Sequence, residues 1–121
     1  MNAPRVLIID DNPMNVTIAQ VVLNADGFDI ESAADAEEAV QKIKAFQPEL
    51  ILMDIQLPGV DGLELTRRIK ADASIRHIVV VAFTAFAMRG DEEKMRDAGC
   101  DGYISKPIDV NRFAAQIRSL L

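Results

Sequence analysis

Leu50-Ile51-Leu52-Met53-Asp54 runs four apolar residues into a carboxylate without a break. A short continuous apolar run of this kind suits a strand buried on both faces, as in a parallel sheet. Ile51 is β-branched, and Pro58-Gly59 punctuates the chain soon afterwards. A carboxylate ending such a strand is either a cap or a working residue. In parallel sheets, ligands gather at the carboxyl ends of the strands.

Working outward, the same grammar repeats. Val6 to Ile9 is a second apolar run, ending at Asp10-Asp11. Ile78 to Phe83 is another, ending at Thr84, and Asp101 to Ser105 is a shorter one ending at Lys106-Pro107. Phe28 to Ala33 is more charged and reads as an edge strand. Helical patterns alternate with these runs. Asn12 is an N-cap with Pro13 in the first turn, and Gly27 stops that helix beyond Ala25. Asp35 caps a helix with Ala36, Ala39, Val40 and Ile43 inward, and Pro48 ends it. Asp61-Gly62 opens a third, near Leu63 to Ala71, with Leu65 and Ile69 inward. A fourth runs from about Phe86 to Ala98 on a thin stripe of Met88, Met95 and Ala98, with Gly90 inside costing about 1 kcal/mol relative to alanine. The last starts near Asp109 and buries Val110, Phe113, Ala114 and Ile117. Strand then helix, five times over, is an α/β domain with a central parallel sheet and helices on both faces.

The first helix carries two apolar stripes. Met14, Ile18, Val21, Val22 and Ala25 share one face and read as its main stripe. Val16, Ala19 and Leu23 lie roughly opposite, as an exposed scatter or as a docking surface.

Composition narrows the function. At 121 residues, half of them apolar, the chain reads as one folded domain, 1–121. The net charge of −6 disfavours nucleic acid and anionic lipid. The single cysteine, Cys100, fits a reducing, cytoplasmic setting. No signal peptide is visible in residues 1–121, and no apolar run is long enough to span a bilayer. His77 falls in a loop and reads as a surface residue.

The strand ends bring Asp10, Asp11, Asp54, Thr84 and Lys106 to one edge. Crowded carboxylates repel unless a cation joins them. Oxygen ligands without His or Cys nearby point to Mg²⁺. A carboxylate attacking phosphorus gives an aspartyl phosphate. Phosphoryl transfer asks mainly for positioning and charge neutralisation, which Mg²⁺, a lysine and a hydroxyl supply.

In order and spacing, Asp10-Asp11, Asp54 with Gln56-Leu57-Pro58-Gly59-Val60-Asp61-Gly62, Thr84-Ala85 and Lys106-Pro107 resemble the response-regulator receiver domains of two-component signalling. Within that family the chain is most similar to stand-alone receivers of the DivK type, through Asp10-Asp11-Asn12-Pro13-Met14-Asn15, Met53 to Pro58 and Thr84 to Glu93. The resemblance covers essentially the whole chain. It implies a flavodoxin-like fold with strand order 2-1-3-4-5. It implies that Asp54 is the phosphoacceptor, fed by a histidine kinase or histidine phosphotransfer protein. Asp11, Asp54 and the backbone carbonyl of Gln56 would ligate Mg²⁺, with Asp10 acting largely through water. Thr84 would bond the phosphoryl group, Lys106 would pair with it, and Tyr103 would turn inward as Thr84 moves. The bond before Pro107 is expected to be cis. The resemblance favours Val16, Ala19 and Leu23 as the partner surface, with output from the last two helices to a downstream protein. A monomer or weak dimer is expected. Phe86 is expected to shield the acyl phosphate from water.

Two other readings fit less well. A flavin binder needs a Ser/Thr/Gly loop after the first strand, where Asp10-Asp11 would repel phosphate. An aspartate-nucleophile phosphatase needs a second acid after the nucleophile, where Asp54-Ile55-Gln56 has none. Met1 and the lack of an output domain favour a complete regulator over a module of a hybrid kinase.

Overall fold

The computed structural model describes residues 3–57, 59, 61–85 and 89–121. Its strands are β1 (Arg5–Ile9), β2 (Asp29–Ala33), β3 (Leu50–Asp54), β4 (Val79–Thr84) and β5 (Gly102–Ser105). Its helices are α1 (Pro13–Ala25), α2 (Ala36–Phe46), α3 (Gly62–Ala71), α4 (Arg89–Ala98) and α5 (Phe113–Leu120). The strands form one parallel sheet in the order β2-β1-β3-β4-β5. The expected architecture and strand order are therefore found. Every residue of β3 is buried, as a central strand between two helical layers requires.

One layer packs Val6, Ile8, Leu52 and Phe83 against α1 and α5, through Ala19, Leu23, Phe113 and Ile117. The other packs Leu7, Ile9, Ile51 and Met53 against α2 and α3, through Ala39, Ile43, Leu65 and Ile69. Alternate residues of each strand thus face opposite layers. The caps at Asn12, Asp35 and Asp61 are all present, each side chain accepting a backbone N–H of the first turn.

The structure largely reverses the assignment of faces on α1: of the stripe Met14, Ile18, Val21, Val22 and Ala25, Val22 alone packs against the core. Ala19 and Leu23 are wholly buried and Val16 packs against the same core, so these three cannot form a partner surface. Met14 and Val21 are 70% and 64% exposed, and Ile18 is exposed beside them. Both stripes repeat at helical spacing, so periodicity cannot phase this helix. Packing decides it: α1 and α5 lie side by side on one face of the sheet, and Ala19 and Leu23 share a core cluster with Phe113 and Ile117.

Smaller corrections follow from local bonding. Val40 is exposed on α2. Val110 is exposed because residues 109–112 form a turn ahead of α5. There the Asp109 side chain accepts from the Asn111 N–H, and its carbonyl accepts from Arg112 and Phe113. On α4, Met95 and Ala98 are buried as expected, while Phe86 and Met88 lie outside the described residues. No helix among the described residues is long and apolar enough to cross a membrane.

Candidate functional site

Parallel pairing fixes which chain ends meet. Ile9 lies opposite Met53, and Asp54 lies opposite Phe83, so Asp10, Asp54 and Thr84 arrive at one edge. Thr84 in turn lies opposite Ser105, and the Lys106 N–H donates to the Thr84 carbonyl at 2.8 Å. The Lys106-Pro107 bond is cis, as expected. Asp10, Asp54 and Thr84 are buried, whereas Asp11 is exposed.

Carboxylate oxygens of Asp10, Asp11 and Asp54 all lie within 4.8 Å of one another. The Lys106 ammonium stands between the two buried acids, 3.3 Å from Asp54 Oδ1 and 3.4 Å from Asp10 Oδ2. It also lies 4.9 Å over the Phe83 ring, which steadies the cation without neutralising it. Backbone donors complete the set. The Asn12 N–H reaches Asp10 Oδ1 at 2.9 Å, and the Gln56 N–H reaches Asp54 Oδ1 at 3.0 Å.

One ammonium against three carboxylates leaves the cluster negative. Burial, opposed by the Gln56 N–H bond and aided by the Asp10 charge, lifts the Asp54 carboxyl to about 6; Lys106 offsets part of the rise. A divalent cation relieves such crowding, and an all-oxygen set without thiol or imidazole suits Mg²⁺. The residues present therefore fit the metal that the sequence resemblance implies.

Four of the expected site residues come together: Asp10, Asp11, Asp54 and Lys106, with Thr84 on the adjoining strand end. Tyr103 stands apart and outward, 45% exposed, donating its hydroxyl proton to Glu92 on α4. A cavity of about 300 Å³ opens beside the cluster, lined by Gln56, Thr84, Asp91 and Lys94 among others. A larger groove of about 860 Å³ lies at the opposite edge of the sheet, among Arg5, Lys44 and His77, away from this chemistry.

Two contributors carried no such role in the sequence reading. Asn15 on α1 directs its amide at Asp10 Oδ2 from 3.4 Å. Its place one turn into a helix that starts beside Asp10-Asp11 is the signal for it. Gly62 packs its backbone against the end of β3; its only sequence signal is a glycine inside a helix start, where Asp61 already accounts for the cap.

A family model described as "Response regulator receiver domain" matches residues 6–118. The chain is 47% identical over 116 residues to "Polar-differentiation response regulator DivK" of Brucella anthropi, covering 96% of this chain and 94% of that one. Among solved structures, it matches the chemotaxis response regulator CheY4 of Vibrio cholerae with a TM-score of 0.93 at 20% identity, over 99% of this chain and all of the other. A CheY-like receiver domain protein from Methanospirillum hungatei matches at 0.87 and 28% identity, over 98% of this chain and 93% of that one.

Proposed function

This chain belongs to the response regulator receiver domain family, and from that membership we propose that it is a phosphorylation-dependent switch. Asp54 accepts a phosphoryl group from a histidine of a kinase or phosphotransfer protein. The modified chain then regulates a downstream protein by a change of conformation. The observation that carries this is the placing of Asp54 at the end of a buried strand, with Asp10 and Asp11 close by and Lys106 at 3.3 Å.

The roles follow from position. A carboxylate oxygen of Asp54 attacks phosphorus as the phosphorus–nitrogen bond of the donor breaks, and the electron pair returns to the imidazole. Lys106 swings from the carboxylates to the new phosphoryl oxygens, and the Thr84 hydroxyl donates to one of them. Asp11, Asp54 and the Gln56 carbonyl would hold Mg²⁺, with Asp10 acting through water. When bound, Mg²⁺ neutralises charge on the transferring group. Loss of the signal is hydrolysis: water attacks phosphorus, the phosphorus–oxygen bond breaks, and Asp54 returns as a carboxylate. The chain thus works only on itself and is a signalling protein.

Its 47% identity to the DivK relative, over 94% of that protein, supports reading residues 1–121 as a receiver of the same kind. We read it as a cytoplasmic protein and a monomer or weak dimer. The partner helix docks on the exposed stripe of Met14, Ile18 and Val21, which begins just after the acidic loop. Tyr103, exposed on β5 against α4, turns inward with Thr84 to reshape the output face, and Phe86 slows hydrolysis.

Intact mass after incubation with phosphoramidate and Mg²⁺ tests the reading. Wild type should gain one phosphoryl group; Asp54→Asn, and wild type in chelator, should gain none. Modification of Asp54→Asn to the same extent would overturn it.

A further inference from the structure

We propose that Asn15 is a positioning residue for the metal site: its amide takes over Asp10 when Lys106 leaves it. The inference rests on the reading above and assigns a residue that the reading does not use.

Asp10 is 2% exposed, so both its oxygens need donors. Oδ1 has the Asn12 N–H at 2.9 Å. Oδ2 faces two donors at the same distance, the Asn15 amide and the Lys106 ammonium, each 3.4 Å away. Ordinary N–H···O bonds close to about 2.9 Å, so neither donor has fully claimed the oxygen. Lys106 also has a second hold, on Asp54 Oδ1 at 3.3 Å. Among the described residues the Asn15 amide donates to no other group, and the Asn15 backbone N–H donates to Asn12 Oδ1 at 3.4 Å. It therefore moves with the loop that carries Asp10.

Movement of Lys106 toward a phosphoryl group would strip Asp10 of its cation. A buried carboxylate losing a partner is costly. Asn15 closes on Oδ2 as the ammonium departs and keeps the carboxylate aimed at the metal. A neutral amide suits this place. A lysine would compete with the metal for Asp10, and an aspartate would repel it.

The test is Mg²⁺ titration by calorimetry, first alone and then with beryllofluoride standing in for the phosphoryl group that draws Lys106 away, on wild type, Asn15→Ala and Asn15→Leu. The same pair is repeated on an Asp10→Asn background. Partners that orient metal ligands typically affect affinity about 10- to 100-fold. For a bond this long, the expected loss is about tenfold in each single variant, at the low end of that range. Thermal unfolding in chelator should move little, and the loss should vanish when Asp10 is already Asn. Unchanged Mg²⁺ affinity in both variants, or an equal loss in the Asp10→Asn background, would overturn the proposal. Wild type that binds no Mg²⁺ would overturn the metal reading itself.

Discussion

A Cβ built on Gly62 would stand 2.1 Å from the carbonyl oxygen of Asp54. No side chain fits there, whatever its chemistry. The Gly62 N–H donates to the Ile55 carbonyl at 2.9 Å and fastens the first turn of α3 to the loop after β3. Thr66 bonds back to the Gly62 carbonyl at 2.8 Å, so the contact is held from both sides. Gly62→Ala should destabilise the fold by about 2–3 kcal/mol, the upper part of the usual range for an inserted methyl group. It should also push the Asp54 backbone away from Lys106. Urea denaturation reads the first effect, and phosphorylation by phosphoramidate in the folded fraction reads the second.

The Asp54 carboxyl, raised from 3.8 to about 6, makes stability depend on pH. The folded state favours the neutral form, so the stability tied to this group is full below about pH 4 and is lost as pH rises through about 6. The loss is about 3 kcal/mol at most, from 1.36 kcal/mol for each tenfold change in proton affinity. Asp54→Asn removes the ionisation. In chelator at pH 7 the variant should be more stable than wild type by about 1–3 kcal/mol. The gap should close below pH 4. Denaturant midpoints across that range check it, and a gap that widens toward acid would contradict it.

The strand ends were legible in the sequence because a buried parallel strand announces itself as an apolar run, and its first polar residue is then forced to the edge. That is why the order of apolar runs alone brings Asp10, Asp54, Thr84 and Lys106 to one edge. The face of α1 was not legible, because both of its stripes are apolar and only α5 chooses between them. The turn at Asp109 was misread for a related reason: a capping aspartate looks the same before a turn as before a helix. Gly62 acts through a close approach to the Asp54 carbonyl across the loop, which no spacing along the chain encodes.

Tyr103 offers a reading of the α4–β5 contact. It is the only tyrosine, and the chain has no tryptophan, so its ultraviolet titration is isolated. The hydrogen bond to Glu92, followed by the negative charge of that carboxylate, raises the phenol above its ordinary value of 10. Glu92→Gln removes the charge, and the titration midpoint should fall. If phosphorylation of Asp54 draws Tyr103 away from Glu92, the midpoint should leave its raised value in a stably phosphorylated sample too. An unchanged titration in Glu92→Gln would show that the Tyr103–Glu92 contact does not persist in solution.

The two stripes of α1 make opposite predictions. Leu23 is wholly buried among β1, Phe28 and α5, so Leu23→Ala should cost about 2–5 kcal/mol through lost burial and the cavity left behind. Val21 is 64% exposed and Ile18 is exposed beside it, so Ile18→Asp with Val21→Asp should leave the unfolding midpoint nearly unchanged. The same pair of charges would meet the apolar face of a partner helix and add to an already acidic surface. Phosphotransfer from a histidine kinase or phosphotransfer protein should therefore slow by at least tenfold, which takes about 1.4 kcal/mol. Phosphorylation by phosphoramidate should not change, since the small donor needs only the Asp54 cluster. Measuring both donors on the double variant separates docking from chemistry. Equal rates with the protein donor would move the docking surface off α1.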